Sequence, residues 1–143
     1  MLTVNDLMTV IPNTVTPQTT LRRVIELMKS QSCRQFPVLN NGRLVGIITD
    51  RDVRLVMNSP LVMHGRWQDE EILDKMTAES CMTPDPMTVT PETPAYQAAN
   101  MLSIYKFGAL PVVDNDTLVG IITVTDFLNY FATQQPEMID QLD

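Results

Sequence analysis

The stretch Leu-Val-Gly-Ile-Ile-Thr at residues 44–49 occurs again, without a change, at residues 118–123. Working outward from it, a shift of 74 residues places residues 3–55 on residues 77–129 without a gap, and 19 of the 53 paired positions are identical. Average composition would give about three identities by chance. The chain is therefore an internal duplication, and a repeat of this kind decides the architecture.

Each copy predicts the element order β-α-β-β-α, preceded by a short helix near Thr3 or Thr77. In copy one the apolar positions that follow Thr19 recur at i, i+3, i+4 and i+7, which is typical of an amphipathic helix. A polar turn at residues 40–43 separates two apolar runs and indicates a β-hairpin, and the last helix begins after Thr49. The core positions of the first helix are Leu21, Val24, Ile25 and Met28 in copy one, and Ala95, Ala98, Ala99 and Leu102 in copy two.

The strands are apolar on both faces, so each sheet needs cover on two sides. A copy of about 53 residues also buries a small share of its surface when it stands alone. We therefore expect an α/β (α+β) fold in which two β-α-β-β-α copies pack through their sheets with pseudo-two-fold symmetry. The predicted parts are copy one at 1–57, a linker at 58–76 with a helix starting at Asp69-Glu70-Glu71, copy two at 77–133 and a polar tail at 134–143.

Composition narrows the class of protein. Hydrophobic residues make up 44% of the chain and charged residues 19%, which is the balance of a globular protein. The net charge of −7 argues against broad nucleic-acid binding, because an acidic surface repels a phosphate backbone. No apolar run approaches the roughly 18 residues of a membrane span, and the N-terminus lacks the features of a secretory signal. Cys33 and Cys81 lie far apart, so we expect reduced thiols and a cytoplasmic protein.

The pattern Gly-Ile-Ile-Thr-x-x-Asp ends a strand and starts a helix in both copies. One interpretation is structural, because Thr-x-x-Asp is a capping box that satisfies backbone N–H groups at a helix start. The other is ligand binding, because a helix start attracts anions and a carboxylate can accept both hydroxyls of a ribose. The two interpretations are compatible, and local sequence leaves both open.

Catalytic patterns are missing. The sequence contains no GxGxxG, P-loop or HExxH pattern, and its one histidine, His64, lies in the linker. Neither a Ser-His-Asp nor a Cys-His arrangement is expected from one histidine and two separated cysteines. We therefore expect a protein that is not an enzyme and that has no metal site.

The ordered motifs resemble one known family. Met-Thr-x-x-Pro-x-Thr-Val-Thr-Pro, then Phe-Pro-Val or Leu-Pro-Val, then Gly-Ile-Ile-Thr-x-x-Asp, are similar to the cystathionine-β-synthase (CBS) domain, and a tandem pair is called a Bateman module. The resemblance implies two clefts for adenosyl ligands such as AMP, ADP, ATP or S-adenosylmethionine, with no required cofactor. It also implies a homodimer formed through exposed helices and an unknown regulated protein as a further partner. A start at Met1 that leads directly into the repeat favours a stand-alone protein.

The resemblance also assigns roles to matching positions. Asp52 and Asp126 would hold ribose hydroxyls, while Thr49 and Thr123 would contact phosphate or ribose. The remaining candidates are the segments Ile11-Pro12 and Asp85-Pro86, which would wall the base, and the backbone around Val38 and Val112, which would contact the adenine edge.

The two copies differ in charge near these positions. Arg34 and Arg51 of copy one have Gly108 and Thr125 as counterparts in copy two. The arginines are either solvated surface cations or phosphate ligands. If they bind phosphate, the two clefts should prefer ligands with different numbers of phosphates. The whole chain is accordingly either an energy or metabolite sensor or a structural dimerisation module with empty clefts. A third hypothesis is that the chain is a fragment or relative of a longer regulated enzyme or channel subunit.

Overall fold

The computed structural model describes residues 1–10, 13–57 and 66–134, and for residues 66–68 it describes the backbone alone. The chain divides into two compact units. The copy-one unit is Pro12–Pro86, and the copy-two unit is Met1–Ile11 together with Met87–Asp143. Each unit combines helices with a three-stranded antiparallel sheet, so the mixed helix-and-strand fold class is confirmed.

The helices and the hairpin strands follow the predicted order in both copies, and the structure adds a two-residue strand after each short lead-in helix. They are, in chain order, α1 (Val4–Leu7), β1 (Thr9–Val10), α2 (Leu21–Ser30), β2 (Gln35–Asn40), β3 (Arg43–Thr49), α3 (Asp50–Met57), α4 (Arg66–Lys75), α5 (Ala78–Cys81), β4 (Thr83–Pro84), α6 (Ala95–Tyr105), β5 (Ala109–Asp114), β6 (Thr117–Thr123) and α7 (Val124–Thr133).

The two sheets have the same construction. The copy-one sheet has the order β2-β3-β4, and the copy-two sheet has the order β5-β6-β1. The short extended piece that the sequence predicts at residues 14–16 joins β2 at one residue, where Val15 bridges Val38 in parallel. Val89 bridges Val112 in the same way. The first strand of each copy is therefore reduced to a single bridge.

Both hairpins close with two residues in the left-handed conformation. In copy one these are Asn41 (φ 53°) and Gly42 (φ 81°), the Asn-Gly pair that favours a type I′ turn. In copy two Asn115 (φ 50°) and Asp116 (φ 65°) take the same places. The predicted turns are confirmed.

The predicted helix faces form the cores. Leu21 and Val24 of α2 are fully buried, and Ile25 and Met28 pack against the same cluster. In α6 the corresponding buried positions are smaller. They are Ala95, Ala98 and Leu102, with Ala99 half-buried.

The linker helix α4 starts earlier than predicted. It begins at Arg66, so Asp69 lies within its first turn and does not start the helix. The acidic residues were a sound signal for a helix N-terminus, but the helix dipole favours them throughout the first turn and does not fix the first residue. Ile72, Leu73 and Met76 pack against the core of the copy-one unit.

The compact units do not follow the sequence repeat, because each lead-in helix belongs to the unit of the other copy. The N–H groups of Val4 and Asn5 in α1 donate to the carbonyls of Thr93 and Pro91, each at 2.9 Å. In the copy-one unit Ala78 of α5 donates to the carbonyl of Thr19 in the same manner, at 2.8 Å. Each lead-in segment thus forms these backbone hydrogen bonds with residues of the other copy.

The glycine of the repeated motif makes this exchange feasible. After α1 the chain enters β1, which pairs with β6 so that Val10 lies opposite Gly120. A Cβ atom at Gly120 would lie 2.7 Å from the carbonyl oxygen of Thr9, closer than a side chain allows. At Gly46 it would lie 3.0 Å from the carbonyl oxygen of Thr83. The missing side chains therefore let the exchanged edge strands approach.

Candidate functional site

The two Thr-x-x-Asp corners form complete capping boxes. At the start of α3 the N–H of Thr49 donates to Oδ2 of Asp52 at 2.9 Å, and the N–H of Asp52 donates to Oγ1 of Thr49 at 3.2 Å. At the start of α7 the same two bonds join Thr123 and Asp126 at 2.8 and 3.1 Å. The structural interpretation of the motif therefore holds at both corners.

Capping uses only part of each carboxylate. In the described part of the chain, Oδ2 of Asp52 and Oδ2 of Asp126 accept the capping bond, while neither Oδ1 has a protein hydrogen-bond partner. Both side chains are half-buried. Because an ionised carboxylate offers about four acceptor positions, each corner keeps capacity for the hydroxyls of a ligand.

The backbone N–H groups at the corners are largely taken by the protein. The N–H of Asp50 donates to the carbonyl of Arg34 at 2.8 Å, in addition to the bonds of Thr49 and Asp52. In copy two Val124 donates to the carbonyl of Gly108 at 3.1 Å. Anion binding through the helix start alone is therefore weakened, and a phosphate would depend on side chains.

Two arginines stand close to the copy-one corner. Arg34 is held beside it by the hydrogen bond from Asp50 to its carbonyl, and Arg51 is the second residue of α3. Both side chains are exposed, and neither forms an ion pair with another described residue. Asp50 is instead paired with Arg54 at 3.7 Å. The copy-one corner thus presents two unpaired cations that the copy-two corner lacks.

Of the two segments predicted to wall the base, only Asp85-Pro86 lies within the described residues. Asp85 follows β4, adopts a left-handed backbone (φ 45°) and donates its N–H to the carbonyl of Val45 at 3.1 Å. Asp85 and Pro86 therefore lie in the copy-one unit, beside the strand that ends at Thr49, although they precede copy two in the sequence. Ile11 and Pro12 lie outside the described residues.

Val38 and Val112 are fully buried at the centres of β2 and β5. The backbone beside Val38 is engaged in the sheet, since the carbonyl of Pro37 accepts from Val15 at 3.1 Å and the N–H of Leu39 donates to Val15 at 2.9 Å. A contact between this backbone and an adenine edge stays a prediction.

Cys81 is a neighbour of the copy-one corner that the sequence analysis did not find. It lies on α5, which packs against α3. Burial, with the negative charge of Asp52 as a second cause, raises the pKa of the Cys81 thiol above its ordinary value. The thiol is therefore protonated at neutral pH. The influence of Asp52 on its pKa shows that the lead-in helix α5 lies close to Asp52.

A surface depression of about 460 Å³ lies elsewhere in the copy-two unit. None of the predicted site residues lines it. Its lining residues are Thr3, Asn5, Met8, Pro91, Glu92, Asp114 and Val119.

Comparison with known sequences agrees with the duplicated motifs. The sequence model of the CBS domain matches this chain twice, at residues 4–59 and 78–133. The chain belongs to the CBS domain family. The two matches follow the repeat, and the family prediction made from the motifs is confirmed.

Relatives of this CBS pair include proteins of similar and of greater length. A CBS domain-containing protein of Dictyostelium discoideum is 34% identical over 118 residues, which are 81% of each chain. An inosine-5′-monophosphate dehydrogenase of Korarchaeum cryptofilum is 31% identical over 129 residues, 87% of this chain but only 24% of that enzyme. The match to the enzyme thus concerns a small part of it.

A solved structure of CBSX2 in complex with AMP has a TM-score of 0.79 and 29% sequence identity to this CBS pair. The alignment covers 94% of this chain and 99% of CBSX2. The similarity extends over both copies, so this chain has the architecture of a known CBS pair.

In the ranges that the structure describes, no helix combines the length and apolar character needed to cross a membrane. Within the same ranges, no three His, Cys, Asp or Glu side chains come together in a way that could hold a metal ion.

Proposed function

We propose that this CBS pair is a regulatory module that binds an adenine nucleotide, AMP, ADP or ATP, at the Thr49–Asp52 and Thr123–Asp126 corners. S-adenosylmethionine is the alternative ligand. Binding acts by changing how the module packs with a second copy of itself or with a regulated partner. A ligand can bias such packing only through its different affinity for the two states.

One observation carries the proposal. Each corner holds a half-buried aspartate whose Oδ2 is fixed by the helix cap and whose Oδ1 has no protein partner among the described residues. A fixed carboxylate with a spare oxygen suits the two hydroxyls of a ribose, because its position is set before the ligand arrives. The AMP-bound relative supports the class of ligand.

The arginines support a preference for phosphate at the copy-one corner. Guanidinium groups bind phosphate in a two-pronged geometry, and Arg34 and Arg51 form no ion pair with any described residue. We therefore assign the nucleotide with more phosphates to the copy-one corner. The copy-two corner, with Gly108 and Thr125, suits a ligand with fewer phosphates.

Calorimetry with AMP, ADP, ATP and S-adenosylmethionine tests the proposal on the whole chain. Asp52→Asn and Asp126→Asn should each weaken one of two sites by roughly ten- to hundredfold, the value of a hydrogen bond to a charged group. Asparagine keeps an oxygen for the cap, so the fold should be retained. Ligand at 100 times Kd should also stabilise the native protein by about 2.7 kcal/mol.

A matched control exists within the chain. Asp6 closes the same Thr-x-x-Asp box at α1, where the N–H of Thr3 donates to its Oδ2 at 2.8 Å, but it is not a candidate site residue. Asp6→Asn should leave both affinities unchanged. Equal losses in Asp6→Asn and Asp52→Asn would reject the ribose role.

The second candidate is a structural module whose corners bind no ligand. The complete capping boxes favour it, because they account for the repeated geometry of both aspartates without a ligand. Absence of any heat or thermal shift with all four compounds at millimolar concentration would select this function.

A further inference from the structure

The surface depression of about 460 Å³ in the copy-two unit lies apart from the Thr123–Asp126 corner. It forms where α1, the chain before α6 and the β5–β6 hairpin meet, and the N–H of Asn5 donates to the carbonyl of Pro91 there at 2.9 Å. Asp114 of its lining pairs with Thr117, the first residue of β6, whereas Thr123 is the last. A strand rises about 3.3 Å per residue, so the two ends of β6 are roughly 20 Å apart.

The lining of the depression combines apolar side chains with two carboxylates. Pro91 is buried and Met8 and Val119 are half-buried, while Glu92 and Asp114 are exposed. Among the described residues, neither the Glu92 nor the Asp114 side chain has a hydrogen-bond or ion-pair partner. Small-molecule sites are typically about 300–1,000 Å³ and pair apolar surface with a few polar groups that orient the ligand. An aliphatic chain that carries positive charge suits both parts of this lining.

The copy-two unit supplies almost no positive charge of its own. Its described residues include five aspartates and glutamates, a single lysine and no arginine. That lysine, Lys106, precedes β5, whereas Asp114 ends the strand. In the copy-one unit, by contrast, residues 13–57 and 66–86 contain nine lysines and arginines and nine aspartates and glutamates. The excess of negative charge in the copy-two unit favours a cationic ligand.

Copy one shows that the fold does not require these two carboxylates. Glu92 and Asp114 correspond to Gln18 and Asn40, 74 residues earlier. Gln18 precedes α2 as Glu92 precedes α6, and Asn40 ends β2 as Asp114 ends β5. Neutral side chains therefore allow the same helix start and the same hairpin, and the negative charge is a property of the copy-two depression alone.

We propose that the depression binds a small aliphatic amine with two or more ammonium groups. Glu92 and Asp114 bind the ammonium groups, and the apolar side chains of Met8, Pro91 and Val119 contact the methylene chain. A metal ion fits less well, because no three His, Cys, Asp or Glu side chains of the described ranges come together to hold one. The site is separate from the nucleotide corners and does not rest on the proposed function.

NMR titration of the isotope-labelled full chain with putrescine, a linear diamine, tests the site. The backbone amides of Asn5, Glu92 and Asp114 should shift and reach saturation. Because exposed charge pairs are individually weak, we expect a Kd on the order of a millimolar or below. Butylamine has the same carbon chain but one ammonium group, and it should bind roughly fivefold more weakly, the value of one favourable exposed pair.

Two substitutions install the residues that copy one has at these positions. Glu92→Gln and Asp114→Asn should each weaken putrescine binding roughly fivefold, and the double variant should show no saturable shift. Asp116→Asn is the matched control, because Asp116 is an exposed carboxylate of the same turn that does not line the depression. It should leave the Kd for putrescine unchanged.

The opposite outcomes would overturn the proposal. They are shifts that do not saturate, equal affinities for putrescine and butylamine, or equal losses in Asp114→Asn and Asp116→Asn. Displacement of putrescine by magnesium chloride, but not by sodium chloride of the same ionic strength, would assign the depression to an inorganic cation instead. Circular dichroism checks that the variants fold. The double variant should keep its response to AMP, so failure of the amine site is distinguishable from failure of nucleotide binding.

Discussion

Asp52 and Asp126 each use one carboxylate oxygen to close the capping box of a helix, and the other oxygen has no hydrogen-bond partner among the described residues. This division explains how one residue serves structure and a ligand together. Replacement by alanine would also remove the aspartate's half of the capping box, at a cost of about 1 kcal/mol for one lost hydrogen bond, and would mix stability with affinity. Asparagine separates the two effects because it keeps the capping oxygen.

Arg51 provides the residue-scale test of phosphate preference. Arg51→Ala should weaken ATP about tenfold at one site and leave adenosine unchanged, because only ATP offers phosphates to a guanidinium group. The measurement is calorimetry of both ligands with the same protein. Equal losses for ATP and adenosine would reject the role.

Arg43 is a suitable control for this comparison. It is an exposed arginine at the first residue of β3, whereas Thr49 is the last. A strand rises about 3.3 Å per residue, so the two ends are roughly 20 Å apart. Arg43→Ala should change neither affinity.

At the scale of elements, the exchanged lead-in segments are the feature that shapes both units. Each supplies a short helix and a two-residue edge strand to the sheet of the other copy. The close approach depends on Gly46 and Gly120, which sit opposite these edge strands. The glycine of the repeated motif is therefore a requirement of sheet packing and carries no evidence for a ligand.

Gly120→Ala should destabilise the protein by about 1–3 kcal/mol, as expected for an added methyl group without space. The new Cβ would meet the carbonyl oxygen of Thr9 at 2.7 Å and Sδ of Met8 at 2.8 Å. Urea denaturation measures the loss, and hydrogen exchange should show reduced protection in β1. Gly108→Ala is the control, because nothing lies within 4 Å of its added Cβ. Equal stabilities of the two variants would contradict the packing argument.

The sequence predicted the helices and strands better than it predicted which sheet each segment joins. Helix faces such as Leu21 and Val24 follow from periodicity, and the hairpin turn follows from Asn41-Gly42, because both signals are local. A repeat shows which segments are equivalent but not which sheet they join, and two-residue strands have no alternation to interpret. Glycine within an apolar strand was the available signal, since it often marks a close backbone approach. Likewise, the capping pattern was readable, but the unbonded Oδ1 of Asp52 required coordinates.

For the whole molecule, duplication of the backbone was followed by divergence of the helix surfaces. In the copy-one unit α4 covers α2 and is fastened through Arg22, whereas the corresponding Tyr96 in the copy-two unit is exposed. The copy-one unit thus has an ion pair at a position where the copy-two unit has an exposed apolar side chain. Sensitivity to pH should therefore be located mainly in the copy-one unit.

Asp74 tests this location. The Nε–H of Arg22 donates to Oδ1 of Asp74 at 2.6 Å, and this hydrogen bond holds the pKa of Asp74 below its ordinary value of 3.8. Because the folded state binds that proton less readily than the unfolded state, the stabilisation is present above about pH 4 and is lost as the pH falls through the folded pKa. Asp74→Asn should lower the Tm slightly at pH 7, and the difference from the unmodified protein should shrink as the pH is lowered from about 4 towards 3. Glu92→Gln, at an exposed residue of the copy-two unit, is the control, because it also removes one carboxylate but lies outside the contact between α4 and α2. A constant Tm difference for Asp74→Asn across this range would show that the ion pair with Arg22 does not stabilise the attachment of α4.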